Sequence, residues 1–173
     1  MPRILAWTLA GLISCAAPTA AENTPQLAIR IVPTDAKAAT IRLDAPGQHF
    51  HVVLTNVSKQ PVRLWREWCS WGYYALSFRV TAGNGKQTTV KKLPRVWTKN
   101  LPDWMQLGPG DHMIFEVTFD PTVWDSPPLP PSGASQTATL TAIYELTASP
   151  ESKQQAVWVG RVATSDLRVA IVR

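Results

Sequence analysis

"HMIFEVTFD", residues 112–120, alternates without a break: Met113, Phe115, Val117 and Phe119 share one side, and His112, Ile114, Glu116 and Thr118 share the other. Successive side chains of a strand point to opposite faces, so a period of two marks a strand with one face in a core. A helix with one buried face would return its apolar residues every three or four positions, and this stretch does not. Just before it, "LGPGD" (107–111) has the composition of a tight turn.

The same period runs outward in both directions. Upstream, "QHFHVVLTNV" (48–57) sets Phe50, Val52 and Leu54 against His49, His51, Val53 and Thr55. "QLAIRIV" aligns Leu27, Ile29 and Ile31, "PVRLW" aligns Val62 and Leu64, and "ALSFRVTA" aligns Leu76, Phe78 and Val80. "GNGK" (83–86) then supplies residues that tolerate positive φ and predicts a hairpin into "QTTVKKL". Downstream, "TATLTAIYEL", "AVWVGRVA" and "DLRVAIVR" predict three further strands, the last near a sheet edge. Residues 94–110 are bounded by prolines and cross over with Trp97 and Trp104, while "PTVWDSPPLPPSGAS" is too rich in proline for a central strand. No helix of three turns and no repeat is legible. The expectation is all-β: an immunoglobulin-like antiparallel sandwich of about eight or nine strands.

The first residues have a different character. Arg3 precedes the apolar run Ile4 to Ile13, and small residues follow, which is the order of a secretory signal. Cleavage before Glu22, after Thr19 and Ala21, makes residues 1–21 the signal and 22–173 a single domain. The alternative is a lipoprotein signal over 1–14, because "LISC" (12–15) resembles a lipobox whose Cys15 takes lipid. Either route predicts export, to the periplasm or the cell surface, with contact to membrane only through that anchor. Losing Cys15 leaves Cys69 without a partner in its own chain, and the tryptophans around it predict a buried thiol acting as a small hydrophobe. The net charge of +5 comes from lysines and arginines spread along the sequence, with only Lys91 and Lys92 adjacent. Nucleic-acid binding needs a concentrated basic face, so it is not expected.

Three stretches carry a family likeness. "FHVVLTNVSKQPVRLW", "YYALSFRVTAGNGK" and "LGPGDHMIFEVTFD" resemble, over roughly residues 48–146, the ordering in bacterial immunoglobulin or fibronectin-III modules. They are similar in particular to the BsuPI-type intracellular proteinase-inhibitor domain, in its "N-x-S-x-x-P-V" turn, its "Y-x-F/L-x-F" strand and its "L-x-P-G-[DE]" turn. The family's "P-G-x-Y" strand entry is replaced here by "SGASQTATL", with Ala138 near the place of the aromatic. The resemblance implies a fold first and inhibition only as an alternative, since one fold hosts many functions.

Catalytic and metal chemistry find little to build on. The acids are dispersed, and Ser70 in "CSWGY" has no patterned base. His49 and His51 supply half a metal site at most, and although a blue-copper site wants a histidine and then a methionine close after its cysteine, Cys69 is followed by no histidine until His112, next to Met113. The expectation is no enzyme, no cofactor and no metal. What remains is "LWREWCSWGYY" (64–74), with three of the eight tryptophans. The stretch is expected mainly to plug one end of the core, with Trp65 inside and Trp68 and Trp71 folded back on it. The alternative is an exposed aromatic surface, so Trp68, Trp71 and Tyr73 are the candidate binding surface through whichever of them face outward. The expected function is an exported module that binds or scaffolds in the bacterial envelope, toward an envelope protein or surface polymer. The alternatives are proteinase-inhibitor-like partner capture and carbohydrate binding through exposed tryptophans.

Overall fold

A computed structural model describes residues 26–43 and 49–173. The expected signal, Cys15 and the bond before Glu22 lie outside these described residues. The strands are β1 (Leu27–Val32), β2 (Thr40–Arg42), β3 (Phe50–Asn56), β4 (Val62–Trp65), β5 (Leu76–Ala82) and β6 (Gln87–Lys92). They continue as β7 (Trp104–Leu107), β8 (His112–Val117), β9 (Trp124–Asp125), β10 (Ser135–Leu146), β11 (Gly160–Ala163) and β12 (Leu167–Val172). Two short helices interrupt them, α1 (Ser70–Tyr73) and α2 (Pro150–Gln154).

The fold is all-β. β3 lies between β1 and β8 in an antiparallel sheet, with Leu54 opposite both Ile29 and Met113. A larger sheet runs β2-β12-β10-β5-β6-β9. Its long member is β10, whose first half pairs with β12, whose second half pairs with β11, and whose other edge takes β5. β4 and β7 make a separate pair. The inward faces of the two larger sheets meet through aromatic side chains. Phe50 of β3 lies 5.8 Å from Phe78 of β5, and Phe115 of β8 lies 5.8 Å from Tyr144 of β10. The alternation read in 112–117 is the burial pattern of β8: Met113, Phe115 and Val117 are buried, His112, Ile114 and Glu116 exposed. Burying each such side chain contributes about 1.5–3 kcal/mol, so this row is a main source of stability.

The expected hairpin forms. β5 and β6 pair from Phe78↔Val90 to Thr81↔Gln87, and Gly85 supplies the left-handed residue of the turn at φ 81°. "NVSKQPV" also has a physical role. Asn56 is fully buried, yet its amide donates to the carbonyls of Gln60 and Leu107 while its oxygen accepts from Ser58 N–H and Oγ. One side chain thereby ties β3, its turn and β7 together with no buried polar atom left over.

Several expectations need correction. There are twelve strand segments among the described residues, not eight or nine. β2, β7 and β9 have three, four and two residues, too few to show a period. The sheets are not wholly antiparallel, because β2 lies parallel to β12. β12 still lies near the edge, as expected, with β2 outside it. The strand containing Phe119 stops at Val117. Phe119 turns into a left-handed backbone (φ 53°), which keeps its ring in the core 5.0 Å from Phe50. Only the second half of "AVWVGRVA" is strand. Val157 is buried, and Trp158 gives its backbone N–H to Arg63 and its ring to Tyr144. α2 forms where no helix is expected, and it starts with a capping box: Ser149 Oγ accepts from Ser152 N–H and Ser152 Oγ accepts from Ser149 N–H.

Candidate functional site

Residues 64–74 divide into an inner and an outer half. β4 carries Trp65 inward, where it is 2% exposed and packs 5.6 Å from Trp71. Cys69 follows, buried, with its thiol 3.2 Å from the Arg66 carbonyl and 3.6 Å from that of Asp103. α1 then folds back over this turn so closely that a Cβ on Gly72 would stand 2.2 Å from the Arg66 carbonyl oxygen. Only glycine fits there. The close return buries the inner residues and throws the others outward.

Trp68 is the outer counterpart, at 63% exposure. One face of its ring takes the Arg66 guanidinium at 5.0 Å, and its indole N–H donates to the Asp103 carboxylate. Asp103 also pairs with Arg66 Nε at 3.6 Å. Trp71 lies apart, half-buried against Trp65. Near it, a backbone hydrogen bond and the Ser149 side chain, with a smaller share from Trp71, hold the Glu151 carboxyl below its usual range. Tyr73 is half-buried and stands edge-on to Tyr74 at 4.9 Å and to Trp97 at 5.5 Å.

The crossover 93–103 is bound to this outer half. Asn100 accepts from Ser70 N–H and donates to Ser70 Oγ, Arg95 N–H donates to Tyr74 Oη, and Arg66 N–H donates to the Asp103 carbonyl. These contacts set cations among the rings. Arg95 lies 5.0 Å from the Trp97 ring and 5.9 Å from Tyr73. Lys92, with a side chain only 8% exposed, is ion-paired with Glu67 and sits 4.6 Å from the Tyr73 ring and 5.7 Å from Trp124. Such contacts contribute about 0.5–2 kcal/mol each, more when water is excluded. Burial pushes the Tyr73 phenol above its usual pKa, against the pull of Arg95. A cleft of about 430 Å³ opens here, between these side chains and residues 115–118 at the end of β8. Arrays of rings and arginines of this kind are the composition of contact surfaces.

The other candidates are placed elsewhere. His49 lines the cleft beside Tyr73, whereas His51 lines a different one, of about 600 Å³, on the outer face of the β1-β3-β8 sheet. His112 Nδ1 is engaged with Thr55 Oγ1 at 2.9 Å. No group of three or more His, Cys, Asp or Glu able to hold a metal occurs among the described residues. Ser70 Oγ meets the Asn100 amide, not an imidazole. Sequence reading named Trp68 and Tyr73 but missed Arg95, Trp97, Asn100 and Asp103. The available signal was the basic run "KKLPRVWTK", which carries no acid from residue 91 to 102.

Comparison with family models, with curated proteins and with solved structures finds no match. What defines the protein is therefore its own geometry: an all-β chain with an aromatic and cationic end.

Proposed function

We propose that this chain is an exported, non-enzymatic module of the bacterial cell envelope that binds or scaffolds a partner. The signal-like first residues and the resemblance to bacterial immunoglobulin-like domains support export and module. The observation that carries binding is Trp68, a large ring kept 63% exposed yet held in place by Arg66 and Asp103. Holding an apolar ring in water at a defined angle has little use for stability and much for recognition. Tyr73, Arg95 and Trp97 extend the same surface. A carbohydrate platform is less supported, because Asp103, bonded to Trp68, and Asn100, bonded to Ser70, already spend hydrogen bonds on the loop.

The test is a photo-crosslinking residue in place of Trp68, in cells expressing the full chain, together with fractionation. Adducts in the envelope fraction that fade on Arg95→Glu support the proposal. No adduct from this position, or hydrolysis of an ester, glycoside or peptide abolished by one substitution, overturns it.

A further inference from the structure

The binding end carries a charge pattern that narrows its partner. Residues 66–74 and 91–103 hold five cations, Arg66, Lys91, Lys92, Arg95 and Lys99, against two carboxylates, Glu67 and Asp103. Three of the five net positive charges of the whole chain therefore fall on two segments that the fold binds together. Both carboxylates are occupied, Glu67 by Lys92 and Asp103 by Arg66. Among the described residues neither Arg95 nor Lys99 enters an ion pair. Beside these cations the crossover presents aliphatic side chains to water: Val96, between them, is 88% exposed, and Leu101, two residues past Lys99, is 77%. Trp68 and Tyr74, at 63% and 46%, stand on the adjoining segment.

We propose that this end seats on an anionic phospholipid surface, with Val96 and Leu101 entering the acyl boundary, the rings of Trp68 and Tyr74 at headgroup level, and Arg95 and Lys99 on lipid phosphates. The inference rests on the binding-module reading and names the partner of that same surface. Aliphatic residues exposed beside unpaired cations and aromatic rings make up the pattern by which amphipathic segments lie on membranes. Cores of protein interfaces are depleted in lysine, so Lys91 and Lys99 fit that use poorly. A negatively charged leaflet attracts each of these side chains, and the attraction falls off within a Debye length. No helix among the described residues is long and apolar enough to cross a membrane, and seating at the surface requires none.

The full chain, its first residues unchanged in every variant, is floated with vesicles of phosphatidylcholine alone or mixed with phosphatidylglycerol. Expected is binding to the anionic vesicles that is at least about tenfold weaker for Arg95→Glu/Lys99→Glu, is weakened by Val96→Ser/Leu101→Ser, and declines toward about 0.5 M salt. Lys99, Val96 and Leu101 are exposed, so thermal unfolding of variants at these positions should match the parent. Arg95→Glu gives up its contacts with Tyr73 and Trp97 and should lower the midpoint by about 2–8 °C. Equal binding to both vesicle types, or full binding by the charge-reversed variant, overturns the proposal. A photo-crosslinking residue at Val96 separates the two readings. Phospholipid adducts support both. Protein adducts alone overturn the membrane partner and leave the binding module standing. Absence of any adduct at positions 68 and 96 overturns both.

Discussion

Trp65 and Trp68 stand three residues apart in one short segment, and one is 2% exposed while the other is 63%. The inner half of the segment is organised by closeness. Gly72 has no room for a methyl group, Cys69 has only carbonyls in reach, and Trp65 and Trp71 pack ring against ring. The outer half is organised by charge, with Arg66, Lys92 and Arg95 each against an aromatic face. The same residue type therefore does two kinds of work. Buried, a tryptophan stabilises through area removed from water; braced at the surface, it offers that area to something else.

The comparison makes graded expectations, each measured by chemical denaturation. The largest effect should be Trp65→Ala, at about 3–5 kcal/mol, because the surrounding core cannot close the cavity. Gly72→Ala should follow at about 3 kcal/mol or somewhat less, since its new methyl meets backbone that cannot rotate aside. If that variant were as stable as the parent, the close return of α1 would not be what separates the two halves. Cys69→Ser should cost about 1–2 kcal/mol. The Arg66 carbonyl accepts a hydrogen bond from the new hydroxyl and offsets part of its desolvation. In the parent, a thiol reagent should label Cys69 only after unfolding, and fast labelling of the native chain would place the inner half at the surface. The smallest effect should be Trp68→Ala, within about 0.5–1 kcal/mol, since it removes an exposed ring with one cation contact and one hydrogen bond. A loss as large as that of Trp65→Ala would make Trp68 structural and dissolve the contrast.

Much of the architecture was legible because it depends on local order. The alternation in 112–117 became β8, and "GNGK" became the β5–β6 turn. Those features follow from the pleat and from backbone sterics, which act between neighbours. β2, β7 and β9 were not legible, since each is too short to carry a period and exists only because a partner strand lies alongside.

The candidate surface divides in the same way. By itself the sequence determined that aromatic residues cluster at 64–74, that Trp65 belongs inside, and that Trp68, Trp71 and Tyr73 deserved attention as contacts, of which Trp71 is half-buried against Trp65. It could not place Arg95 beside Tyr73, or Asp103 beside Trp68, because 21 to 35 residues separate the segments that hydrogen-bond there. Nor could it show that the basic run 91–99 lies down against residues 66–74, which adds Arg66 to its four cations. Only the tertiary structure decided these points. Long-range contacts are set by how the sheets pack and where the crossover lies down, and the energy that selects them belongs to the whole core and to no single stretch.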